Sequence, residues 1–230
     1  MAEPIPAGWA ELLTREAPFF QRLSAMEQER LLRLLKAFLD EKEIVGAGGL
    51  EVDEEMRLLV GASAVRLVLG LDLSHYDRLT EIVLYPQEVL VDPRSGDELL
   101  GLAHRHGAVV LSWPAVQRGL RRRDDGLDTA LHEFAHALDL ADGVFDGAPA
   151  LRANADYRPW AAHLGAAFAA LEDGDRGLLR VLRPYGATAP PELFAVATEA
   201  FFERPAELKR RAPDLYAELA RFYGRVPEAP

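Results

Sequence analysis

The chain has 230 residues, 49% of them hydrophobic, enough for one large core or two small ones. Its formal net charge of -11 argues against a nucleic-acid backbone or an anionic membrane as the main partner, because both reward clustered Lys and Arg. With no cysteine, disulfides and thiolate-bound metals are excluded, so any metal site must be built from His and carboxylate.

The N-terminus, Met1 to Pro6, lacks the basic start and apolar run of a signal peptide. The most apolar stretch, Leu58 to Leu73, is interrupted by Arg66 and Asp72 and is too short for a membrane span. A cytoplasmic location is the expectation. Residues 7 to 45 read as helical. Trp9, Leu12 and Leu13 form one apolar stripe, and the capping-box pattern from Ser24 to Glu27 opens a helix in which Leu31, Leu32, Leu34, Leu35, Phe38 and Leu39 recur with helical spacing. A break at Gly46, Gly48 and Gly49 follows the apolar pair Ile44-Val45. Asp53 can cap a further helix, whose Gly61, Ala62, Ser63 and Ala64 predict close packing against a neighbour.

From Ile82 the pattern becomes β. Runs at Ile82 to Tyr85, Glu88 to Val91, Leu99 to His104 and Ala108 to Trp113 predict three or four strands of one small mixed sheet, with a turn at Asp92 to Gly96. Strands followed by helices argue for an α+β domain rather than a doubly wound one. His104 and His106 alternate along one strand but lack a nearby carboxylate; His75 and His163 have no partner spacing and read as ordinary histidines. The basic cluster of Arg118 and Arg121 to Arg123 runs directly into Asp124 and Asp125, which suits a solvated loop.

The segment Leu131-His132-Glu133-Phe134-Ala135-His136-Ala137-Leu138-Asp139 then places an H-E-x-x-H motif in a helical pattern. Residues four apart lie on one helix face, so His132 and His136 can address one ion, and zinc suits such ligands. Glu133 is placed to take a proton from a zinc-activated water. Asp128 or Asp125 can cap this helix and Asp142-Gly143 can stop it. Asp139 shares the metal-facing side, as a partner for a ligating imidazole or as a strut for the loop that follows. That loop, 142–159, is long and borders the motif, as rims and lids do.

Two histidines leave a third ligand to be found, and the elongated motif with a third His is absent because positions 139 and 142 are both Asp. A helix over residues 190–203, with Pro in its first turn and Pro205 just beyond, carries Glu192, Glu199 and Glu203 on one face. The face alone does not choose among them. Glu199 lies among Phe194, Val196, Ala200, Phe201 and Phe202, where an unpaired carboxylate is costly and a metal would offset the cost. Glu203 could hold a ligating His from behind, and Glu192 could serve the helix dipole.

These segments, together with Val110 to Trp113 and Pro184-Tyr185-Gly186-Ala187-Thr188, resemble the Mlc titration factor A family of zinc-dependent peptidases. The resemblance extends more weakly over most of the chain; Asp128 stands where that family commonly has Asn, and Gly186 where it commonly has Ala. It implies a zinc (Zn2+) peptidase, aminopeptidases included, with His132, His136 and Glu199 as ligands and Glu133 as general base. It also implies a single zincin-like domain over 1–230, related to glutamate-class zincins such as the catalytic domain of anthrax lethal factor. Residues 1–75 would form a helical part, 76–143 the sheet and motif helix, and 144–230 a helical part with the glutamate ligand. Tyr185 is a candidate to stabilise an oxyanion, or a structural tyrosine beside a helix start. A substrate peptide could add as a strand along Ala108 to Trp113. The family's name supplies a rival, a binding protein that sequesters a transcriptional repressor of sugar uptake. A structural zinc with Glu203 or Asp139 as fourth ligand is a third reading.

Overall fold

The computed structural model describes residues 5–87, 107–121 and 126–227. The expected strands at Glu88 to Val91 and Leu99 to His104, and the pair His104 and His106, lie outside the described residues. The architecture is α+β. Three N-terminal helices, α1 (Trp9–Glu16), α2 (Pro18–Arg22) and α3 (Ala25–Glu41), lead to strand β1 (Ile44–Gly46) and helix α4 (Glu54–Leu67). Strands β2 (Glu81–Tyr85) and β3 (Ala108–Ser112) precede α5 (Trp113–Arg121) and the motif helix α6 (Thr129–Asp139). The C-terminal part holds α7 (Tyr157–Glu172), α8 (Pro190–Glu203), α9 (Pro205–Arg211) and α10 (Pro213–Tyr223).

Local sequence explains most of these boundaries. Ser24 and Glu27 form the capping box that starts α3, and Asp53 accepts the Met56 N–H at 2.8 Å to start α4. The small residues of α4 let it lie directly on α3: a Cβ added to Gly61 would stand 2.7 Å from Leu35 Cδ1. Among the described residues the sheet has three strands, in the order β1-β2-β3, all parallel, with Ile44 opposite Ile82 and Ile82 opposite Val109. Parallel neighbours need a crossover, and α4 supplies it between β1 and β2. Ile82, Leu84, Val109 and Leu111 are buried on the sheet, and β3 lies along α6.

Helix α6 is enclosed: every residue from Ala130 to Asp139 is buried. It packs on α8 and on α4, and its Phe134 meets Phe38 and Tyr76 edge to face. One cluster of buried side chains runs from Trp9 to Tyr223 through both sheet and helices. No helix among the described residues is long and apolar enough to cross a membrane.

Candidate metal centre

The motif helix begins at Asp128, whose Oδ1 accepts the Leu131 N–H at 3.1 Å. It ends at Asp139 in a short 3-10 turn that Gly143, at φ +93, closes. Between these ends His132 and His136 project to the same side, their Nε2 atoms 3.2 Å apart. Glu192 Oε2, from the first turn of α8, lies 3.0 Å from His132 Nε2 and 3.4 Å from His136 Nε2. The three ligand atoms all fall within 4.8 Å of one another. Glu133 is 8% exposed, and its charge acts on His132.

Glu199 takes a different place from the ligand position expected of it. Its Oε1 meets His132 on the opposite ring nitrogen, Nδ1, at 2.8 Å, and its Oε2 accepts the Asp128 N–H at 2.8 Å. Arg183 closes the set by donating to Oε1. The reason is axial distance. Seven residues advance a helix by about 10 Å, so two glutamates on one face reach opposite ends of the His132 ring and not one common point. The cost of burying Glu199, 1% exposed, is offset by these three donors. A carboxylate only accepts, so Glu199 holds the proton on Nδ1 and turns Nε2 towards Glu192 and His136.

Glu203 holds no histidine: its Oε1 pairs with Arg66 Nη1 at 2.8 Å, both side chains 5% exposed. Asp139 Oδ2 accepts the Gly147 N–H at 2.9 Å, so the residue anchors the loop. Burial, followed by the charges of Asp146 and Asp142, pushes its carboxyl up to about 7. Tyr185 stands in a 3-10 turn at Pro184–Ala187, its ring 6.0 Å from that of His132. His163 pairs with Glu218 at 3.0 Å and His75 with the Asp72 carbonyl at 3.1 Å. Sequence reasoning passed over Arg183 and underweighted Glu192. The signal for Glu192 in the sequence is its place beside Pro191 in the first helical turn; in the structure 19% of its side chain stays open to solvent. A ligand that meets substrate needs such an opening.

Electrostatics tests whether these residues fit a cation. Burial opposes a charge on His132, but hydrogen bonds to Glu192 and Glu199 overcome it and raise the imidazole to about 10. Burial likewise opposes charge on Glu192, yet bonds to His132 and His136 hold it well below the usual carboxylate range. The cluster therefore carries strong demand for positive charge at the point where two nitrogens and one oxygen converge. Two imidazoles and a carboxylate are the donor set of a divalent transition-metal ion, so the residues fit such a group.

The family profile of the glucose-regulated metallo-peptidases M90 matches residues 1–224. The chain belongs to the M90 metallopeptidase family. An uncharacterized protein of Synechocystis sp. is 33% identical, covering 97% of this chain and 86% of its own length. Mlc titration factor A of Serratia proteamaculans is 31% identical over 97% of this chain and 88% of its own. The same-named protein of Cronobacter sakazakii is 30% identical over 96% and 87%. An M90 member is expected to hold a metal ion, and the convergence of His132, His136 and Glu192 meets that expectation.

Proposed function

We propose that this chain is a zinc-dependent peptidase in which His132, His136 and Glu192 hold the ion and Glu133 is the general base. The observation that carries the reading is the convergence of the three ligand atoms within 4.8 Å beside a buried glutamate. Zinc is the ion best matched to two imidazoles and a carboxylate in a chain without cysteine. Bound there, it would polarise a scissile carbonyl and make a water acidic enough to attack at neutral pH.

The protein's own groups do the rest. Glu133 takes a proton from the attacking water and passes it to the departing amine. Glu199 keeps His132 in the Nδ1-protonated tautomer. Tyr185 donates a hydrogen bond from its phenolic O–H to the developing oxyanion. Strand β3 pairs with β2 on one side among the described residues, and an extended peptide would lie along its other side. Removal of an N-terminal residue, an aminopeptidase activity, is one cleavage mode open to this arrangement.

Zinc content and hydrolysis of a chromogenic peptide panel test the reading. Wild type should bind one zinc and cleave. Glu133→Gln should keep zinc while cleavage falls by about 10²- to 10⁴-fold. Glu192→Gln should lose zinc, whereas Glu199→Gln should weaken it by about 10- to 100-fold. Normal hydrolysis by Glu133→Gln removes that residue from the chemistry, and zinc loss from Glu199→Gln with retention in Glu192→Gln makes Glu199 the ligand.

The relatives' name, Mlc titration factor A, favours a second reading. In it the chain captures a regulator protein, a transcriptional repressor of sugar uptake, and the metal site is ancillary. Unaltered capture by the Glu192→Gln protein, with no peptide cleaved by wild type, would favour it.

A further inference from the structure

Apolar side chains exposed singly need no account, whereas several together beside a polar site mark a candidate binding surface. Val144 is 52% exposed and Tyr185 38% exposed; Tyr185 stands beside His132, and Val144 directly precedes the residue that stands beside His136. The Tyr185 ring lies 6.0 Å from His132, and the ring of Phe145, the residue after Val144, lies 5.2 Å from His136. Each imidazole thus has an aromatic neighbour, and an exposed valine adjoins one of them.

The segment that carries Val144 and Phe145 is tied down at closely spaced points. Asp142 Oδ1 accepts the Val144 N–H at 2.9 Å, Asp139 Oδ2 the Gly147 N–H at 2.9 Å, and Asp146 Oδ1 the Ala148 N–H at 3.0 Å. The apolar side chains are therefore presented in a set position. Asp142 and Asp146, both exposed, flank Val144 and Phe145 in the chain and are held close to them by these bonds. An apolar surface bordered by two carboxylates suits an uncharged apolar group and repels an acidic one.

We propose that Val144, Phe145 and Tyr185 form a subsite for an aliphatic or aromatic side chain next to the scissile bond, and that Asp142 and Asp146 exclude acidic side chains from it. The proposal rests on the peptidase reading above and adds the substrate class: peptides with an apolar residue at the point of cleavage. It is a statement about specificity, separate from the proton chemistry of Glu133.

Binding to the zinc-loaded Glu133→Gln protein separates the two. The probes are peptides Gly-Gly-X-Gly-Gly with X as Leu, Phe, Ser or Asp, measured by calorimetry. The Leu and Phe peptides should bind about tenfold or more tightly than the Ser peptide, with the Asp peptide weakest. Val144→Ser should erase most of that advantage, Asp142→Asn with Asp146→Asn should recover the Asp peptide, and Met26→Ser, exposed on α3, should change nothing. Wild type should cleave the peptides in the same order. Equal binding of all four peptides overturns the subsite, whatever is cleaved. The expected ranking in binding, with no cleavage by zinc-loaded wild type, overturns the peptidase reading and leaves an apolar peptide-binding subsite.

Discussion

Asp128 joins the motif helix to the residues behind it. Its carboxylate caps the helix through Leu131, its N–H donates to Glu199, and Gly119 has to be glycine to make room, since a Cβ there would stand 2.7 Å from Asp128 Oδ1. Burial, and then the charge of Glu203, raises its carboxyl from 3.8 to about 7. A raised carboxyl makes the folded chain bind the proton more tightly than the unfolded one. That contribution is complete below the unfolded value of 3.8 and is lost as pH rises to about 7. Asparagine keeps the cap without titrating. Asp128→Asn should therefore be more stable than wild type at pH 8, by roughly 1–3 kcal/mol, with the gap closing towards pH 4. Urea unfolding at both pH values measures this; an equal gap at each would show that the carboxyl is not raised. The sequence marked Asp128 as a cap, but the capping pattern carries no information about how deeply the carboxylate is buried.

At the scale of elements, the site depends on how α8 meets α6, and Gly147 sets that meeting. Its N–H goes to Asp139 at the end of α6, its carbonyl accepts Trp160 Nε1 of α7 at 3.0 Å, and its Cα lies against Pro190 at the start of α8. The residue adopts φ +82, and a Cβ would stand 2.5 Å from the Pro190 carbonyl oxygen. Gly147→Ala should destabilise the fold by about 1–3 kcal/mol and, because Pro190 opens the helix carrying Glu192, also lower zinc affinity. Denaturant unfolding together with chelator competition reads both effects; an unchanged zinc affinity would mean that α8 is held elsewhere. The helices themselves were legible from caps and periodicity. Strand β1 was not: Ile44 and Val45 acquire strand character only by pairing with β2, 38 residues later, a distance no local pattern reports.

Across the whole molecule, a buried ion pair joins the N-terminal helices to the helix that carries Glu192 and Glu199. Arg66 of α4 donates to Glu203 at 2.8 Å and to the Phe202 carbonyl at 3.1 Å, and lies over the rings of Phe19 at 4.6 Å and Phe202 at 5.4 Å. It thereby ties α2, α4 and the end of α8 together. Arg66→Met should cost about 3–5 kcal/mol, because it leaves Glu203 buried without a partner. The double change Arg66→Met with Glu203→Leu should recover much of that loss, since the buried charge is gone from both sides. Urea midpoints for the single and double variants decide it: a double variant as unstable as the single one would show that packing, and not charge, holds the parts together.

The order of residues alone determined the two histidines, the glutamate between them, the helix that presents them and the absence of any thiolate ligand. Those features are local, set by helical spacing and composition. It narrowed the remaining ligand to one face of a later helix and could not go further. Glu192, Glu199 and Glu203 share that face, but each answers to a different neighbour: the histidine pair, His132 Nδ1 and Arg66. Which carboxylate meets which partner depends on the axial offset between two helices about 60 residues apart in the chain, and only packing specifies that offset. The tertiary structure therefore decided which glutamate faces the histidine pair and which stands behind it.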